Sequence, residues 1–122
     1  MKFAKYTFYT AGIYGLIVLL PQFLMLEKTG RDYPPAITHP EYFYGFIGIA
    51  LAWQMAFVII ARNPVKYRTL MIPAIFEKFS FAVATAILFF QGRLSTEMFG
   101  AGMIDLTLGI LFIIAYFKTP AE

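Results

Sequence analysis

The chain contains no cysteine, and only 14% of its residues are Asp, Glu, Lys or Arg, about half the share usual in a soluble domain. Without cysteine there are no disulfides, no thiol redox chemistry, no iron–sulfur cluster and no cysteine-ligated zinc. The single histidine, His39, cannot build a metal site by itself, so neither a metal nor a cofactor is expected. Phosphate-cradling glycine loops, a nucleophile elbow and zinc-binding helix motifs are also missing. What is present is apolar. Hydrophobic residues make up 60% of the chain and aromatic residues 19%, and the mean hydropathy is +0.69. A soluble fold of 122 residues could not hide this much, because small domains bury only part of the surface that the unfolded chain exposes. Lipid is the solvent such a composition fits, and the length allows one domain, residues 1–122. The net charge of +3 does not point to nucleic acid, since the cations sit at the ends of apolar runs, where membrane topology needs them.

A helix crosses a hydrocarbon core about 30 Å thick with roughly 20 mostly apolar residues. Four segments qualify: 6–26, 42–61, 70–90 and 98–117. Their ends carry Tyr6, Tyr9, Tyr42, Phe43, Tyr44, Tyr116 and Phe117, residues that favour the headgroup level. The first run is too long for a signal-peptide core and no Ala-x-Ala-like site follows it, so it is read as a retained span. Pro21 predicts a kink near the end of that span. The expected fold is an all-α antiparallel bundle of four transmembrane helices with short connections and one longer external loop. That loop, EKTGRDYPPAITHP at 27–40, holds a Gly and a Pro-Pro step that discourage helix. Asp32, His39 and Glu41 are its candidate site residues. The other two connections are short, which predicts that consecutive helices are antiparallel neighbours.

Four spans put the N-terminus, the second connection and the C-terminus on one side. That side carries Lys2, Lys5, Arg62, Lys66, Arg68 and Lys118, against Lys28, Arg31 and Arg93 on the other. The excess predicts cytoplasmic termini.

Ionisable residues at membrane depth are costly and are functional candidates by default. Glu77 lies nine residues past Arg68, about 13 Å in from one edge at 1.5 Å per residue. Asp105 lies eight residues past Glu97, about 12 Å in from the other. Lys78 shares the level of Glu77, and Gln54 falls close to it. Two carboxyl groups, one ammonium and one amide therefore form a single midplane layer. Helical periodicity groups Pro73, Glu77, Ser80, Ala84 and Gln91 into a small, polar stripe on the third span. Ala101, Gly102, Asp105, Gly109 and Phe112 form another on the fourth. Gly45, Gly48, Ala52 and Ala56 give the second span a face that another helix could approach closely. The bland account of the layer is an ion pair of Lys78 with Asp105 or Glu77 that holds two helices in register.

The segments YGFIGIALAWQ (44–54), ARNPVKYR (61–68), QGRL (91–94) and AYFKT (115–119) resemble the DoxX-like small membrane proteins of bacteria. This resemblance covers roughly the last two thirds of the chain and rests on hydrophobic patterning with glycines. It implies a four-helix bundle in a bacterial inner (plasma) membrane, sometimes encoded beside oxidoreductases, with no settled catalytic residues to carry over. The IPAIFEKFSF stretch (72–81) lies outside the family pattern. Three functions fit the residues. One is a binding or accessory module that uses the midplane polar layer to hold a lipophilic small molecule or to pack on a second copy or a larger membrane complex; Gly45, Gly48, Ala52 and Ala56 are its natural contact surface, and Gly45, Gly48, Ala52 and Gly109 are the helix-packing candidates. A second is an oligomeric proton-coupled transporter or channel. The third is a membrane-embedded, isomerase-like enzyme with Glu77 and Asp105 as acid and base. The polar-layer candidates in each are Glu77, Lys78, Asp105, Gln54 and Ser80.

Overall fold

A computed structural model describes residues 2–121, which contain helices and turns and no strand. Helix α1 spans Lys2–Leu19 and runs into a 3-10 turn, Leu20–Leu24; α2 is Leu26–Asp32; α3 is Pro40–Arg62; a 3-10 turn, Arg68–Leu70, leads into α4, Met71–Phe90; α5 is Thr96–Lys118. Four stretches are long and apolar enough to cross a membrane: Lys2–Leu24, Pro40–Arg62, Arg68–Phe90 and Thr96–Lys118, each of 23 residues. At 1.5 Å per residue each reaches about 34 Å, enough for the hydrocarbon core with modest tilt.

Local chemistry sets the ends. Pro21 lies at the start of the 3-10 turn that replaces the last turn of the first span, because its ring cannot donate a backbone bond or fit under the preceding carbonyl. Pro40 opens α3, at a position where a missing N–H costs nothing. Ser95 caps α5, its Oγ accepting from the Met98 N–H at 3.3 Å. After α4 the chain reverses through Gly92 at φ +72°, with the Arg93 N–H returned to the Leu88 carbonyl at 2.9 Å, a glycine C-cap.

The connection expected to be wholly irregular contains α2. Lys28 pairs with Asp32 one turn on, and a Cβ at Gly30 would stand 3.1 Å from Ala36 Cα. The Pro34-Pro35 segment thus folds back over a helix that its own glycine permits it to approach.

Helix α1 is central, packed along α3 on one side and α5 on the other, and α5 packs along α4. The order across the bundle is α3, α1, α5, α4. The expectation that every short connection joins neighbours holds tightly for α4 and α5 and only loosely for α3 and α4, whose backbones stand apart while side chains still meet, Phe46 with Phe81 at 6.4 Å between ring centroids and Lys78 over Phe57 at 5.2 Å. Bulky side chains explain the difference. The facing sides of α3 and α4 carry Phe46, Ile49, Trp53, Phe76 and Phe81, whereas the tight seams are built on glycine. The core is a triplet of rings from three helices: Phe8 stacks on Phe112 at 4.1 Å between centroids, and Phe57 meets Phe112 edge-on at 5.0 Å.

The outer surface is apolar as well, with Ile17 69%, Phe76 75% and Phe90 80% exposed. A water-soluble chain does not present so many large apolar side chains on its exterior. The protein is an all-α polytopic membrane protein.

The ends of the bundle are tied together. Arg68 donates from Nε to the Thr119 carbonyl at 2.7 Å and to the Tyr116 carbonyl at 3.2 Å, and its guanidinium lies 3.8 Å from the Tyr116 ring centroid. Lys118 lies over the Phe3 ring at 4.9 Å. The N-terminal helix, the α3–α4 turn and the end of α5 therefore share one end of the molecule.

Candidate functional site

Glu77, Lys78 and Asp105 come together. Both α4 residues lie two turns into their helix, and Asp105 approaches from the antiparallel α5. Lys78 is 4% exposed. It shares the inward face of α4 with Met71, Ala74, Ala82 and Thr85. That face meets α5 closely because Gly102 lies under Thr85 and Gly109 under Phe79 and the Lys78 Cβ. The Lys78 Nζ donates to Asp105 Oδ1 at 3.4 Å and stands 3.9 Å from Glu77 Oε2. It also lies 5.2 Å from the centroid of the Phe57 ring, a favourable place for a cation above a π face. The ammonium of the cluster thus sits beside one ring of the central triplet.

The pairing is unequal. Asp105 takes the hydrogen bond, while Glu77 Oε2 is buried and has no hydrogen-bond partner. One ammonium faces two carboxyl groups. With all three groups ionised the cluster carries one uncompensated negative charge, which low-dielectric surroundings penalise heavily.

Glu77 also lines a groove between α3 and α4, about 670 Å³ in volume, whose walls include Ala50, Trp53, Phe76 and Ser80. The exposure of Ile49 (66%) and Phe76 shows that the groove opens sideways onto the lipid-facing surface. On α3 its wall is Phe46, Ile49, Ala50 and Trp53, a spacing of three, four and seven that marks one helix face. This wall lies outside the polar layer and the small-residue stripes that the sequence pattern singles out. The spacing was there to be seen, but nothing in it said that α4 would stand off rather than pack.

Other candidates lie elsewhere. Gln54 shares the depth of the charges but turns to α1. Its Nε2 donates to the Ala50 carbonyl at 2.9 Å, its side chain fills the place of a Cβ at Gly15, and its Oε1 is buried without a partner. The stripe Pro73, Ser80, Ala84, Gln91 is exposed and borders the groove and lipid instead of forming a seam. Ser80 donates to its own helix, to the Glu77 carbonyl at 2.9 Å. Gly45, Gly48 and Ala52 are exposed, and a Cβ at either glycine would meet nothing within 4 Å, so this face packs on no helix of the chain. In the connection, His39 Nδ1 is 3.5 Å from Glu41 Oε2, while Asp32 pairs with Lys28. The three do not gather, and no cluster of potential metal ligands occurs among the described residues.

The geometry of the site stands by itself: no family model, no curated protein and no solved structure matches this chain.

Proposed function

We propose that the protein is a small membrane-embedded binding module that holds one lipophilic molecule in the α3–α4 groove, with Glu77 as the polar anchor. The observation that carries this reading is the groove itself: an apolar recess with one carboxyl on its floor and its mouth open to the bilayer. Its volume of about 670 Å³ falls in the range of small-molecule sites, which combine apolar walls with a few polar groups that fix orientation. A lipid-soluble ligand could enter laterally, without crossing water.

The alternatives have less support. An acid–base pair of Glu77 and Asp105 would need both carboxyls in one cavity, yet Asp105 does not line the groove and Lys78 stands within 4 Å of both. A transport path would run from end to end, whereas this recess opens sideways. The proposed setting is that implied by the resemblance to DoxX-like proteins and by the distribution of Lys and Arg: a bacterial inner membrane with both termini in the cytoplasm.

Filling the groove tests the reading. Protein purified in mild detergent should carry a co-extracted lipophilic species, detected by mass spectrometry, that Ala50→Trp depletes several-fold without lowering thermal stability. Identical extracts from the two proteins would remove the proposal.

A further inference from the structure

We infer that the occupant of the groove is a cationic amphiphile, a molecule with one protonated amine on a hydrocarbon body, whose ammonium rests against Glu77. This inference builds on the groove as a ligand site and adds the charge of the ligand.

Charge balance is the first support. Lys78 commits its hydrogen bond to Asp105 at 3.4 Å, leaving Glu77 Oε2 at 3.9 Å without one. An ammonium in the groove supplies the missing countercharge. A neutral ligand supplies none, and an anion adds a second uncompensated negative charge where charges are poorly screened. The second support is the lining. Phe46, Trp53, Phe76 and Phe81 wall the groove, and aromatic faces attract ammonium groups. Third, no Lys or Arg lines the groove, so the chain offers no internal cation on that side; Glu77 Oε2 is buried, but the side chain keeps 20% of its surface open, so a ligand meets the carboxyl at its other oxygen. The Ser80 hydroxyl, its polar neighbour in the lining, is donated to the Glu77 carbonyl and does not neutralise the carboxyl. The recess is of small-molecule size and midway along the helices, which suits a single-headed amphiphile better than a partner helix.

The test uses two photoreactive probes of equal chain length, dodecylamine and dodecanol, on the protein in maltoside micelles, with labelled peptides identified by mass spectrometry. The amine should label α3 and α4 at about tenfold lower concentration than the alcohol. Glu77→Gln should bring the amine to the level of the alcohol and leave alcohol labelling unchanged. Asp105→Asn releases Lys78 to neutralise Glu77 and should narrow the preference too, which keeps the inference open to test if Glu77→Gln folds poorly. Equal labelling in the native protein, or an amine preference that survives both substitutions, would overturn the cationic ligand while leaving the groove as a site for neutral lipids. Labelling by both probes that ignores Ala50→Trp would overturn the groove as a site at all.

Discussion

Lys78 brings an ammonium into an apolar bundle at 4% exposure, and two carboxyl groups and one ring face hold it there. Removing one partner of such a cluster leaves uncompensated charge, whereas replacing the whole cluster by neutral groups of similar shape is often close to neutral. Lys78→Met should therefore lower stability by about 3–5 kcal/mol, read as a fall in the thermal midpoint in detergent. The triple change Lys78→Met, Glu77→Gln, Asp105→Asn should recover most of the loss. A triple variant no more stable than the single one would show that charge balance does not govern this layer. The common depth of these residues was legible from counting residues in from each edge, since helical rise is fixed. Azimuth was not: Gln54 lies at nearly the same depth but turns to α1, because Gly15 leaves room for its side chain there.

Among the helices, the seams are decided by where the absence of a Cβ matters. The sequence contains a conspicuous small-residue face, Gly45, Gly48 and Ala52, yet the close approaches between the spanning helices are at Gly12 and Gly15 on α1 and at Gly102 and Gly109 on α5. Pattern alone identifies faces that permit approach, and the partner's shape chooses among them. A Cβ at Gly102 would overlap the Thr85 hydroxyl, a short β-branched side chain with little freedom to retreat. Gly102→Ala should separate α4 from α5 and cost about 1–3 kcal/mol. Gly100→Ala, two residues away with open space around it, should be neutral or slightly stabilising, as alanine is the better helix former. Thermal unfolding of the two variants side by side checks this, and equal effects would mean that the seam yields more readily than its geometry implies. The spans themselves were readable to within a few residues because hydropathy over 20 positions is an average that single residues cannot upset. The α2 helix was not readable, since seven residues containing Gly30 give no such average, and the Lys28–Asp32 pair that supports it is a local contact.

At the scale of the whole molecule, the end-to-end arrangement depends on four crossings, and the absence of cysteine makes the first two directly measurable. Arg68 bonding to the Thr119 carbonyl and Lys118 lying over Phe3 bring the first helix, the α3–α4 turn and the last helix to one end, with α2 at the other. Single cysteines introduced as Lys5→Cys, Lys66→Cys and Lys28→Cys become the only thiols in the protein. All three positions are exposed or lie in a connection, so reactivity should report side rather than burial. The excess of Lys and Arg at the end that carries Lys5 and Lys66 predicts its retention in the cytoplasm. An impermeant maleimide applied to intact cells should then modify Lys28→Cys alone, and the other two should react only after the membrane is opened. Reaction of Lys5→Cys and Lys28→Cys from the same side would remove the first crossing. Reaction of Lys66→Cys but not Lys28→Cys in intact cells would keep the first two crossings and invert them. The Glu77 groove would then open to the same hydrocarbon layer from the same helices, so the ligand reading depends on the number of crossings and not on their direction.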